Sequence, residues 1–114
     1  VRDGSGLSLL DEASPRSLVQ LLSYMRLSPE GPAFFASLPL VGEGMRSRMT
    51  ETAAAGRLRA KTGTLAGVSA LAGYVTTVGG EELAFSIIVN RTPSVDAARA
   101  LQDSIGVRLS LLNR

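Results

Sequence analysis

Four consecutive residues, Lys61-Thr62-Gly63-Thr64, set an ammonium, a hydroxyl, a position without a side chain and a following backbone amide in one short run. The ammonium is a compact point charge and the hydroxyl a donor, so together they suit the terminal carboxylate of a peptide. Glycine lets the backbone come close to an acyl group and pair with it as an added strand would. The amide of Thr64 is then placed to donate to a developing oxyanion, and deleting one such donor in another serine hydrolase costs about 3 kcal/mol. On this reading Lys61 and Thr64 take part in catalysis, and Lys61, Thr62, Gly63 and Thr64 bind substrate. The same residues also read as a solvated strand edge, with Lys61 an exposed charge and Gly63 a turn glycine. A lysine, hydroxyl and glycine triplet arises by chance in roughly 5% of chains this long, so its surroundings have to decide. Lys61 is the one lysine among 12 basic residues, the others all being arginine. A phosphate-binding loop is excluded, because it needs glycine directly before the lysine and Ala60 stands there.

The composition narrows the chemistry further. There is no histidine, so a serine enzyme built on this chain must use lysine or a carboxylate as its base. There is no cysteine either, which excludes disulfides, thiolate nucleophiles and zinc–sulfur sites. None of the candidate residues calls for a cofactor or a metal. The net charge is +2 and the arginines form no dense run, and with only five aromatic residues there is little platform for stacking bases; nucleic acid is not an expected partner. At 114 residues and 45% hydrophobic content the chain suits a single globular domain. No stretch approaches the ~18 consecutive apolar residues of a membrane span. The opening Val1-Arg2-Asp3-Gly4-Ser5-Gly6 reads as the middle of a loop, so a piece of a longer or processed chain is expected.

Hydrophobic spacing predicts the elements that must hold the lysine triplet. Residues 1–13 read as a loop. Ser14-Pro15 is a helix start, and Leu18, Leu22 and Met25 follow at helical spacing, giving a helix over roughly 15–27. Ser28-Pro29 repeats the signal, Pro32-Ala33-Phe34-Phe35-Ala36 predicts a short second helix, and Pro39 stops it. A glycine-bearing connector over 40–56 follows, with a helical turn near Met45 to Thr50. From Arg57 the period changes to two: Leu58 and Ala60 alternate with Arg57, Arg59 and Lys61, as in a strand with one buried face and a solvated arginine face. A second strand runs from Val68 to Thr77, Val78-Gly79-Gly80-Glu81 makes a hairpin turn, and a third strand, Leu83 to Val89, is apolar enough to be covered on both faces. Tyr74 and Phe85 read as core. Ser94 caps a last helix with Asp96 in its first turn and an apolar stripe of Ala98, Leu101, Ile105, Leu109 and Leu112. The expected fold is α+β, an antiparallel sheet of three strands packed with helices as one pair of layers, with no internal repeat.

Lysine-hydroxyl-glycine is also the third signature of penicillin-recognising serine acyl-transfer enzymes. Four blocks in order carry a wider likeness: Asp3-Gly4-Ser5-Gly6-Leu7-Ser8; Pro15-Arg16-Ser17-Leu18-Val19-Gln20-Leu21-Leu22; Leu38-Pro39-Leu40-Val41-Gly42; and Arg59-Ala60-Lys61-Thr62-Gly63-Thr64-Leu65 with Gly67-Val68-Ser69-Ala70-Leu71-Ala72-Gly73-Tyr74-Val75. Together they resemble the D-Ala-D-Ala carboxypeptidase/endopeptidase family of low-molecular-mass class C penicillin-binding proteins, of the peptidase S13 type, over nearly the whole chain. The departure is Leu9-Leu10-Asp11, where that family tends to carry arginine and then asparagine. The resemblance implies a β-lactamase/transpeptidase-like fold, of which residues 1–114 form the C-terminal part. It also implies an extracytoplasmic location, peptidoglycan stem peptides as substrate, β-lactam antibiotics as ligands, and Lys61, Thr62 and Thr64 lining the cleft. Ser5 and Ser8 are read as turn serines with local hydrogen bonds.

Two motifs that such enzymes require are missing from the chain. A Ser-x-x-Lys pair would supply the acylated serine and its base, yet Leu58 stands three residues before Lys61. A Ser-x-Asn motif is likewise absent, since Ile88 precedes Asn90 and Leu111 precedes Asn113 at that spacing. In the family both lie upstream of the lysine triplet, so the rest of the parent chain is expected to supply them and the 114 residues alone are expected to be inactive. Two other readings stay open: a serine β-lactamase-like hydrolase, with fast deacylation, and a non-catalytic peptidoglycan-binding or structural module.

Overall fold

The structure, a computed structural model, describes residues 14–45, 48–49, 51–65, 68–90 and 94–113. Among the described residues three helices and one three-stranded sheet follow in the order α1 (Pro15–Leu27), α2 (Gly31–Ser37), β1 (Leu58–Leu65), β2 (Val68–Thr76), β3 (Glu82–Val89) and α3 (Val95–Ser110). The strands are antiparallel in the spatial order β1-β2-β3. The loop expected over residues 1–13, with Ser5 and Ser8, lies outside the described residues.

The first and third helices begin as their residues dictate, whereas the second starts at Gly31 without a side-chain cap rather than at Ser28-Pro29, because Ser28 ends α1 instead, its Oγ donating to Met25 O at 2.8 Å. Ser14 and Ser17 cap α1 reciprocally: the Ser17 N–H donates to Ser14 Oγ at 3.1 Å and the Ser14 N–H to Ser17 Oγ at 3.0 Å. Pro15 follows at the first helical position, where its missing N–H leaves no helical bond unmade. Leu18 and Leu22 are the buried residues of α1, each worth about 1.5–3 kcal/mol of removal from water. Gly31 opens α2 because a Cβ there would meet the Arg26 and Met25 carbonyl oxygens, at 2.5 and 2.7 Å. Ser94 caps α3, its side chain accepting from the Ala97 N–H at 3.1 Å.

The sheet is covered on both faces, which corrects the expected single pair of layers. Leu71 and Val75 of β2, with Leu58, Ala60, Phe85 and the connector residues Val41, Met45 and Met49, form a core completed by Val107 and Leu109 of α3. The alternate positions of β2, Tyr74 and Ala72, pack with Leu22, Phe34, Phe35 and Leu38 on the opposite face. A strand exposes successive side chains to opposite sides, so the two clusters share β2 without touching the same residues. Tyr74 and Phe85 are both buried, as expected, but on different faces.

Other boundaries shift for local reasons. β2 ends at Thr76, because the buried Thr77 closes the hairpin instead: its N–H donates to Glu81 O at 2.8 Å and its Oγ1 accepts from the Glu81 N–H at 3.0 Å. Gly80 takes φ +85° in that turn, a conformation glycine enters freely. β3 is covered on both faces, as expected: Leu83, Phe85 and Ile87 pack on the core beneath α3 and Ala84 on the cluster beneath α1 and α2, although Phe85 alone is fully buried and Glu82 is exposed. The apolar stripe expected on α3 is met in part: Ala98 is buried and Leu109 packs on the core, but Leu101 is 52% exposed. The residues that face inward are Ala98, Gln102, Gly106 and Ser110, small or polar at four-residue intervals, because α3 lies close to the sheet. A Cβ on Gly106 would meet Met49 Sδ at 2.9 Å and Leu58 Cδ1 at 3.1 Å. Part of the helical turn expected near Met45 to Thr50 lies outside the described residues, and Met49 at φ 54° is left-handed rather than helical.

Candidate active site

The lysine triplet lies in β1, an outer strand of the described sheet. Its register with β2 runs without interruption from Leu58↔Val75 through Lys61↔Ala72, Gly63↔Ala70 and Thr64↔Ser69. The hydrogen-bond phase follows from two observed bonds. Thr76 N–H donates to Arg57 O at 2.9 Å, so odd-numbered residues of β1 face β2; Ala60 N–H donates to Pro39 O at 3.0 Å, so even-numbered residues face away. By that alternation the main-chain groups of Thr62 and Thr64 point outward along the edge of the sheet. Lys61 and Thr62 are exposed, and Gly63 is half-buried. Gly63 is not a turn glycine, since it sits within β1 opposite Ala70, which corrects that reading.

What ends the covering of this edge is the segment 39–41. Leu40 bridges to Arg59, with Val41 N–H donating to Leu58 O at 2.9 Å and Ala60 N–H to Pro39 O at 3.0 Å. Among the described residues nothing pairs with the outer edge of β1 past Ala60. The Leu38-Pro39-Leu40-Val41-Gly42 block therefore holds the root of β1 and stops one residue short of Lys61. Sequence reasoning took these residues as helix stop and connector; proline in an extended run beside a strand was the available signal, since it accepts through its carbonyl without needing to donate.

Arg57 and Arg59 are not a solvated face, contrary to expectation. Arg59 is half-buried, its Nη1 donating to Leu38 O at 3.1 Å, with the guanidinium carbon 5.1 Å from the centroid of the Phe35 ring. Arg57 Nη1 donates to Thr77 O at 3.2 Å. Both face helix ends or turn carbonyls because α1 and α2 cover the side of the sheet that the alternation left polar. Arg26 reaches the same ring, 4.2 Å from its centroid, and pairs with Glu82 through Nε at 2.6 Å. The hydrogen bond to Glu82, more than its charge, raises the pKa of Arg26 above its ordinary value. The close approach of β1 to β2 depends on Gly73, where a Cβ would collide with the Arg59 carbonyl oxygen and come within 2.7 Å of Ala60 Cα.

On the opposite face a polar group that the sequence did not suggest lies under the strand ends. Arg48 Nε donates to Asp103 Oδ1 at 2.7 Å, its Nη2 to Gln102 Oε1 at 3.1 Å, and Gln102 Nε2 donates to Ser69 Oγ at 3.4 Å. Among the described residues no group of three histidines, cysteines or carboxylates gathers to hold a metal ion. An open depression bordered by Met49, Thr52, Ser104 and Arg108 includes no residue of β1.

Comparison with known proteins gives these features a context. The model of the D-Ala-D-Ala carboxypeptidase 3 (S13) family matches residues 1–111. A D-alanyl-D-alanine carboxypeptidase of an Actinomadura species is 45% identical over 117 residues, which take in 96% of this chain and 21% of that protein. Carboxypeptidase DacB of Mycolicibacterium smegmatis is 34% identical, over 91% of this chain and 25% of that protein. The chain thus spans about one fifth to one quarter of the length of these relatives. A crystal structure of penicillin binding protein 4 from Haemophilus influenzae, complexed with a β-lactam, shares the fold at a TM-score of 0.65 and 23% identity, over 82% of this chain and 25% of that one. A three-stranded antiparallel sheet between helices, the lysine triplet on its outer strand and a family match over residues 1–111 lead to one placement: the chain belongs to the D-Ala-D-Ala carboxypeptidase 3 (S13) family.

Proposed function

We propose that this chain is the C-terminal part of the penicillin-binding domain of a serine-type D-Ala-D-Ala carboxypeptidase/endopeptidase, and that it forms one wall of the active site. The substrate is a peptidoglycan stem peptide outside the cytoplasm, and β-lactams compete for the same place. Lys61 and Thr62 hold the terminal carboxylate, Gly63 leaves the strand open to the acyl group, and the Thr64 amide donates to the oxyanion. A serine from the rest of the parent chain attacks the carbonyl, D-alanine leaves with its amine protonated, and water then cleaves the acyl-enzyme. One observation carries the reading: in the β1 register the Thr64 N–H falls on the same outward edge as Thr62, just past the last residue that segment 39–41 covers. An extended peptide laid there would find main-chain partners in phase with those of β1, the geometry of strand addition.

The test uses the full-length protein and a labelled penicillin. Lys61→Ala removes a charge-assisted hydrogen bond to the carboxylate, so the second-order acylation constant should fall roughly 10- to 150-fold, the equivalent of about 1.5–3 kcal/mol. Acylation at the wild-type rate would refute the carboxylate role. Rapid release of the acyl group, with turnover of the β-lactam, would assign the parent to the β-lactamases instead. A full-length chain that never forms the adduct would point to a non-catalytic module.

A further inference from the structure

Gln102 is fully buried in the middle of α3, at a position where the neighbouring inward residues Ala98 and Gly106 are small. A buried primary amide is destabilising unless both its ends find partners. Here both do: Oε1 accepts from Arg48 Nη2 at 3.1 Å and Nε2 donates to Ser69 Oγ at 3.4 Å. Arg48 is itself fixed, with Nε on Asp103 Oδ1 at 2.7 Å and Nη2 on Arg99 O at 3.3 Å. It sits one residue before Met49 and three before Glu51, both with left-handed φ angles of 54° and 57°, so the bonds to α3 secure a strained stretch of connector.

The far end of this chain of bonds matters more than its root. Ser69 is 2% exposed and stands directly opposite Thr64 in the register of β1 and β2. Past Ala60 the edge of β1 has lost segment 39–41, and among the described residues β2 is the one strand that holds it. The height of β1 above the sheet at Thr64 therefore follows the height of β2 at Ser69. Gln102 ties that residue to α3.

We propose that Gln102, oriented by Arg48 and Asp103, is a positioning residue for acyl transfer: through Ser69 it sets where the Thr64 amide stands relative to the reacting carbonyl. This rests on the reading of Lys61 to Thr64 as the active-site wall. Gln102 touches no substrate and acts through the strand pair alone. Its loss should slow the chemical step and leave the anchoring of the carboxylate by Lys61 and Thr62 intact.

The experiment measures β-lactam acylation by the full-length protein, separating the first-order acylation constant from the dissociation constant of the preceding complex. Gln102→Met keeps volume and removes both hydrogen bonds; Ser69→Ala removes the same link from the other side. Each should lower the first-order constant roughly ten-fold, less than the about hundred-fold that a full ångström of misplacement can cause. The dissociation constant should not move, and the double variant should be no slower than the slower single, as expected of residues acting through one contact. Wild-type acylation by Gln102→Met, beside a slowed Lys61→Ala, would overturn this inference and leave the wall standing. Multiplying defects in the double variant would also overturn it. A Lys61→Ala protein that acylates normally would remove the wall and this inference with it.

Discussion

The phenol of Tyr74 joins the sheet to α1 by a single donated hydrogen bond, 2.6 Å to Leu22 O, between two aromatic neighbours whose ring centroids lie 5.5 Å (Phe35) and 6.4 Å (Phe34) away. Burial raises its pKa above the ordinary value of 10.0, the Glu82 charge adds to the rise, and Arg26 offsets part of it. The folded protein thus holds this proton more tightly than the unfolded chain does. Its contribution is complete below about pH 10 and is lost as pH rises through the higher folded value. The melting temperature should therefore fall more steeply above pH 10 in the wild-type protein than in Tyr74→Phe, which at neutral pH loses only about 1 kcal/mol with the bond. Equal alkaline slopes for the two proteins would contradict this. At the scale of single residues the sequence was legible where chemistry is local: Ser14, Pro15 and Ser94 announced the helix starts they make. Arg57 and Arg59 were not legible, because their partners are carbonyls 20 and 21 residues away along the chain. Alternation says that two side chains share a face but not whether a helix will cover it.

Between elements, packing turns on two glycines that differ in what surrounds them. At Gly73 an added methyl would meet backbone, the Arg59 carbonyl, which cannot move without opening the β1–β2 pair. At Gly106 it would meet the tips of Met49 and Leu58, which can swing aside. Gly73→Ala should destabilise the full-length protein by at least about 2 kcal/mol, toward the upper end of what overpacking causes, and Gly106→Ala by clearly less. Melting midpoints for the two variants check the order, and a reversed ranking would contradict the geometry. The first strand was readable from period two, the third from its apolar run, and the hairpin from Gly79-Gly80. The inward face of α3 was readable only in part: Ala98 and Leu109 of the expected stripe turn inward, but the close approach to Leu58 selects for Gly106 and makes room for a hydrogen-bonded Gln102 where the stripe had Leu101.

Over the molecule as a whole, the described residues set two helices on one face of the sheet and one on the other, and the middle layer ends in β1, whose outer edge is covered only as far as Ala60. The candidate site was legible because Lys61, Thr62, Gly63 and Thr64 are contiguous, and a strand orders them by alternation alone. Its closure was not, because these 114 residues hold no Ser-x-x-Lys and no Ser-x-Asn, and the proposed reading takes the nucleophile and base from the rest of the parent chain. The isolated chain should accordingly form no covalent adduct with a labelled penicillin, while the full-length protein should; an adduct on the isolated chain would place the nucleophile here after all. The bare rim of β1 has a further consequence. Main-chain donors and acceptors that find no partner among the described residues will accept a strand from any source, including a second molecule of the same protein. Shortness guards against this, because the stretch from Lys61 to Leu65 offers too little length for a lasting ladder between copies. The ammonium of Lys61 guards against it too, since a self-paired edge that sets two copies of it across from each other brings like charges together.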